Sequence, residues 1–172
     1  MNSSIYTDLV PLISYPETDM SINLEKIEIS AGDHDISEFQ IFSDYVRETV
    51  LSKLQEDFTH TFDLNPTTCL DLGWHLHGEN YERGMFMVRV REMLRGFEIP
   101  ETSELPDHLT HILSMLPHLD EENRKVFIKS YVIPATEKII EGFGDTENPY
   151  KHLMQFINDV LLHHTYDEEV QA

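Results

Sequence analysis

The stretch SEFQIFSDYVRETVLSKLQEDF, residues 37–58, decides the fold class. Phe39, Phe42, Val46, Val50, Leu54 and Phe58 recur at intervals of three or four, which winds one apolar stripe along a helix. Ser37 stands where an N-cap is wanted, with Phe39 soon after it, so one helix is predicted from near Ser37 to Phe58.

The same period continues outward in both directions. From Tyr81 to Phe97 the apolar residues Met85, Phe86, Val88, Val90, Met93 and Leu94 occupy more than one face, which predicts a central, mostly buried helix. Leu105, Leu109, Ile112, Leu113 and Leu116 form another stripe, begun by Pro106 and ended at Pro117. Asp120 opens a segment through Val126, Phe127, Tyr131 and Ile139 that Pro134 should bend or divide. Asn148-Pro149, a capping residue followed by proline at the first helical position, starts a helix carrying Leu153, Phe156, Ile157, Val160 and Leu161. Toward the N-terminus, Ile5 to Ile13 and Ile22 to Ile29 read as two shorter helices, the first stopping at Tyr15-Pro16. Strand signals are nearly absent, with no Asn-Gly or Asp-Gly hairpin and no run of alternation. The expectation is an all-α, single-domain helical bundle of about seven or eight helices spanning residues 1–172, with its core at about 5–164.

Charge restricts the partners. The 172 residues hold 12 Lys+Arg against 32 Asp+Glu, a net charge of −20 that repels nucleic acid and anionic membrane and draws in a basic partner. No apolar run approaches the length of a membrane span, so direct membrane insertion is not expected. The opening MNSSIYTDLVPLISYP lacks the marks of a signal peptide, and the single Cys69 cannot form an internal disulfide, so the cytoplasm is the expected compartment.

Ten histidines raise the question of a metal. The pairs His75/His77, His108/His111 and His163/His164, with His118 four residues before Glu122, have ligand-like spacing. A bundle metal site, however, draws matched Glu-x-x-His motifs from facing helices, and none recurs; there is no HExxH either. No metal site is expected. Cys69 reads as a small packing residue, and neither GxSxG nor a phosphate-binding glycine loop occurs, so the chain does not read as an enzyme.

Two junctions ask for more than a turn. Leu76-His77-Gly78-Glu79-Asn80-Tyr81-Glu82-Arg83-Gly84 places polar groups between two apolar helices, and Glu104-Leu105-Pro106-Asp107-His108 does so at the next junction. Asp107 should cap or orient the helix start there. Arg83 stands one turn after Glu79 and could pair with it. Gly84 inside a helix points to close helix approach, since glycine there costs about 1 kcal/mol relative to alanine.

At these residues the sequence resembles the molybdoenzyme-specific chaperones, and within them the NarJ-type nitrate reductase assembly chaperones, relatives of TorD and DmsD. The matching runs are Phe58-x-x-x-Phe62-Asp63, HLHGENYERGMFMV (His75 to Val88) and SELPDHL (Ser103 to Leu109). Leu12-Ile13-Ser14-Tyr15-Pro16 and Asn148-Pro149-Tyr150 extend the likeness to about residues 9–163. Departures are Phe58 where the family often has tyrosine, Asn80 where it often has serine, Trp74 at a position that is commonly aromatic or acidic, and no longer C-terminal tail.

The resemblance implies a non-enzymatic assembly chaperone of nitrate metabolism, a monomer or weak dimer with no stably bound cofactor. It would bind the N-terminal segment of an apo molybdoenzyme catalytic subunit, of nitrate reductase or nitrite oxidoreductase type. It would assist insertion of the bis-molybdopterin guanine dinucleotide molybdenum cofactor and an iron–sulfur cluster, and delay targeting until assembly ends. The client segment in the family is a basic amphipathic helix, which would lie in an apolar groove with an acidic rim. Met85, Met87 and Met93 suit an adaptable groove. The expected functional surface is His77, Glu79 and Arg83 with Glu104, Pro106, Asp107 and His108. Two other classes stay open: a four-helix metal protein using His75, His77, His108, His111, His118 and Glu122, and a scaffold that binds some other basic helix.

Overall fold

The computed structural model describes residues 4–166, so the two ends of the expected 1–172 span lie outside the described residues. Every regular element is helical. The α-helices are α1 (Ser4–Leu9), α2 (Ser21–Ser30), α3 (Ser37–Glu48), α4 (Leu51–Phe58), α5 (Leu72–His77), α6 (Tyr81–Gly96), α7 (Leu109–Met115), α8 (Glu121–Phe127), α9 (Ile133–Gly142) and α10 (Pro149–Tyr166). A 3₁₀ turn, Val10–Ile13, prolongs α1, another, Leu116–His118, prolongs α7, and a π turn, Thr59–Asp63, prolongs α4. A second π turn, Ile128–Val132, joins α8 to α9. No strand forms among the described residues; one isolated antiparallel bridge pairs Asp71 with His108.

The helix starts follow local chemistry. Asn148 Oδ1 accepts the amide hydrogen of Tyr150 at 2.9 Å and opens α10, while Asp120 Oδ1 does the same for Asn123 at 2.9 Å and opens α8. Pro134 sits in the first turn of α9, directly after the π turn, where its missing N–H is absorbed by the change of hydrogen-bond pattern.

The expected helix over residues 37–58 is two helices. Backbone at Thr49 and Val50 is extended between α3 and α4, and Val50 is 71% exposed, so it leaves the stripe. The start also differs by one position: Ile36 is the N-cap, and Asp35 Oδ1 accepts the amide hydrogen of Ser37.

The centre of the molecule is α10, packed against α3 and α9. Leu153, Met154, Phe156, Ile157, Val160 and Leu161 are fully buried on it. Each such side chain contributes about 1.5–3 kcal/mol relative to exposure. Tyr150 lies within ring contact of Phe42, Phe58 and Phe62, and Phe39 meets Phe156.

Helix α6 was expected in that central place and is instead peripheral. Only Phe86, Val90 and Leu94 are buried on it, whereas Tyr81, Met85 and Val88 are exposed. The sequence between Tyr81 and Gly96 also holds four arginines and two glutamates, and so many charges cannot leave water on all sides. Gly84 lies in this exposed face: a Cβ built there meets nothing within 4 Å, so it does not mark close helix approach.

Candidate functional site

Two features meet at the junction before α7. One is an open groove and the other is a buried ion pair behind its wall.

The groove, about 700 Å³, runs between the 3₁₀ turn Val10–Ile13 with the chain that follows it, the end of α4 and the segment that leads into α7. Tyr15 and Ile99 supply apolar surface, backed by the buried Ile13 and Phe58, and Glu17, Asp63 and Glu104 supply exposed carboxylates. Asp63 closes the π turn that follows Phe58, and Tyr15 meets Phe58 edge to face at 6.0 Å. No lysine or arginine lines this groove among the described residues. Burial pushes the Glu104 carboxyl up, and the negative charges of Asp63 and Asp71 add to it against a smaller pull from His111. A cation arriving beside Glu104 would relieve that repulsion.

The α7 junction is held by its own side chains. His108 is the N-cap, its Nδ1 accepting the amide hydrogen of Thr110 at 3.3 Å and lying 2.7 Å from Thr110 Oγ1. Burial drives the imidazole pKa down to about 4, with His111 adding to the shift and Asp107 opposing it. The ring is therefore neutral near pH 7, and its 3.9 Å separation from Glu104 is not an ion pair. His111 ties down the preceding loop: it donates from Nδ1 to the Leu105 carbonyl at 2.9 Å and accepts the Thr102 amide hydrogen at Nε2 at 3.1 Å.

Behind the wall, Arg83 of α6 donates from Nε to Asp107 Oδ2 and from Nη2 to Asp71 Oδ2, both at 3.0 Å. The Asp107 side chain is wholly buried, and its Oδ1 has no partner. Burial holds the Asp107 carboxyl above the usual range despite the opposing arginine. Leu72 donates its amide hydrogen to the Asp107 carbonyl at 2.9 Å, and Leu109 donates to Leu70 at 2.8 Å. Gly73 permits this contact: a Cβ there would stand 2.6 Å from Asp107 Oδ2 and 3.1 Å from Arg83 Cγ.

The expected site residues are thus divided. Glu104 and His108 line the groove; Arg83 and Asp107 form the pair behind it; Pro106 is buried between them. His77 packs its ring against Phe86 at 6.0 Å, and Glu79 is exposed in the turn before α6; neither reaches the groove. Three details are corrected. His108, not Asp107, caps α7; Arg83 pairs with Asp107 and Asp71, not with Glu79; and α7 begins at Leu109, leaving Leu105 half exposed in the loop. Met85, Met87 and Met93 do not line the groove.

Tyr15, Phe58 and Asp63 were quoted for the resemblance without being placed in the site, and Asp71 and Gly73 carried no signal by themselves. The histidines of the metal alternative are committed elsewhere. His75 Nε2 bonds the Cys69 carbonyl, His108 caps α7, His111 holds its loop, and His118 stacks on Phe97. Among the described residues no group of three or more His, Cys, Asp or Glu is placed to hold a metal ion.

A family model described as the nitrate reductase delta subunit matches residues 32–166. The chain belongs to the nitrate reductase delta subunit family. Its members are non-catalytic assembly chaperones, and the family implies a nitrate reductase as partner. The all-helical architecture agrees with that membership. No curated protein matches the chain. Among the described residues no helix is long and apolar enough to cross a membrane.

Proposed function

We propose that this delta-subunit-family chaperone acts in the cytoplasm as one all-helical domain that holds the N-terminal segment of an apo nitrate reductase catalytic subunit. The segment lies in the groove between residues 10–18, Phe58–Asp63 and the loop before α7. It stays there while the molybdenum cofactor and an iron–sulfur cluster enter the client, and is released for targeting afterwards. The chaperone holds neither group itself.

The observation that carries this reading is the groove's composition, apolar surface of Tyr15 and Ile99 backed by the buried Ile13 and Phe58, under a rim of Glu17, Asp63 and Glu104 with no lysine or arginine among the described lining residues. An amphipathic basic helix fits such a groove with its apolar face inward and its lysines or arginines at the rim. Apolar anchors would supply most of the affinity, and the rim carboxylates mainly the encounter rate.

Calorimetry with a peptide copying the first fifteen or so residues of the catalytic subunit tests the reading. The expected result is micromolar or tighter binding that a scrambled peptide of equal charge lacks. Equal heats for both peptides would leave only nonspecific charge attraction.

A further inference from the structure

We propose that Arg83 is the positioning residue of the groove: from outside it, the guanidinium latches the segment before α7 onto the start of α5, and so sets where Glu104 and His108 stand. The inference rests on the groove reading given above.

The geometry is that of a clamp between two chain segments far apart in sequence. Residues 70–72 and 107–109 are paired by two backbone hydrogen bonds, Leu72 to Asp107 and Leu109 to Leu70, with no strand on either side to extend the pairing. Arg83 spans the same crossing with its side chain, one nitrogen on Asp71 and another on Asp107. Its planar fork holds the two N–H bonds in a fixed relation to the two carboxylates, whereas an ammonium offers rotatable donors from a single point on a flexible stem. Without it Asp107 would keep a wholly buried carboxylate, one oxygen of which already lacks a partner. Asp107 then either takes up a proton in place or swings toward water, and the swing carries the Glu104–His108 turn with it; unchanged protection at Leu72 and Leu109 would mark the first course.

Two anchors then define the groove wall. His111 pins residues 102 and 105 to α7, and Arg83 pins residue 107 to α5 and α6. Glu104 projects from the turn between them. Arg83 itself does not line the groove, so any effect it has on a client passes through Asp107.

The test uses the full chain with Arg83→Met, Arg83→Lys and Asp71→Asn, following amide hydrogen exchange and binding of the catalytic-subunit peptide well below each variant's Tm. In Arg83→Met, exchange at Leu72 and Leu109 should rise about tenfold while amides of α3 and α10 stay within about twofold, because a local opening leaves the rest of the fold closed. Peptide affinity should fall about tenfold in parallel, and lysine should restore less than half of the loss. Asp71→Asn removes only the partly exposed partner, so it should give a smaller change in the same direction and keeps the test available if Arg83→Met does not fold. A uniform rise in exchange across α3 and α10, or unchanged protection at Leu72 and Leu109, would overturn the latch. Wild-type protein that ignores the peptide would overturn the groove reading, and the exchange pattern would still decide the latch by itself.

Discussion

Nδ1 of His108 accepts the amide hydrogen of Thr110, so the start of α7 is capped by a neutral imidazole at a buried position. An imidazolium has no free lone pair at Nδ1 and could not accept that bond. The cap therefore depends on the ring's staying unprotonated, and burial, which lowers its pKa to about 4, keeps it so.

Stability should fall as the pH drops between about 6.5 and 4. The folded pKa of His108 lies below the ordinary histidine value of 6.5, so this contribution is complete above pH 6.5. It is lost as the unfolded chain takes up a proton that the folded ring refuses. The full loss is on the order of 3 kcal/mol. Burial raises the Asp107 carboxyl, which works in the opposite direction at low pH, so the comparison must be made within a pair. His108→Asn keeps a capping oxygen and removes the titration; the difference between wild type and variant in urea unfolding should shrink steadily from pH 7 to pH 4.

Two glycines should respond to alanine with opposite signs. Gly73→Ala forces a Cβ against Asp107, Arg83 and Phe86, the last at 3.2 Å, and should cost about 1–3 kcal/mol. Gly84→Ala meets open space on an exposed helical face and should stabilise by about 0.5–1 kcal/mol. Chemical denaturation of both variants checks the signs together, and destabilisation at Gly84 would contradict its exposed placement.

Asn148→Ala should destabilise by about 1–2 kcal/mol, toward the high end for a cap. Its Oδ1 caps α10, and its Nδ2 also donates to Thr61 Oγ1 in the π turn at 2.8 Å, so both ends of the amide are used. Asn148→Ser retains a capping oxygen and removes the Nδ2 donor to Thr61, and its Tm should fall between those of wild type and the alanine variant.

Tyr15→Ala and Glu104→Gln separate the two parts of the groove. Tyr15 is about half exposed against Phe58, so its loss should weaken peptide binding roughly tenfold with little change in Tm. Glu104→Gln should slow association a few-fold at low salt and converge on wild type at high salt, because a rim charge acts mainly on encounter. Stopped-flow association against ionic strength distinguishes them; a salt-independent loss at Glu104 would mean a direct contact rather than steering.

The helical class was legible from residues 37–58 onward because apolar spacing is a local property, and so were the caps at Asp120 and Asn148, whose bonds reach two or three residues. The resemblance carried by His75–Val88 and Ser103–Leu109 likewise lay in the order of residues, and the family match agrees with it. What neighbours in sequence could not specify was which apolar stripe goes inside. Helices α6 and α10 both offer several apolar faces, and α10 took the centre because α3 and α9 cover it, while the charges of α6 kept one side in water. Partners followed the same division. Glu79 lies one turn from Arg83, yet the guanidinium went to Asp71 and Asp107, 12 and 24 residues away. An exposed pair one turn apart contributes only a few tenths of a kcal/mol, whereas a carboxylate buried by packing requires a counter-charge, and that requirement arises only once the chain has folded.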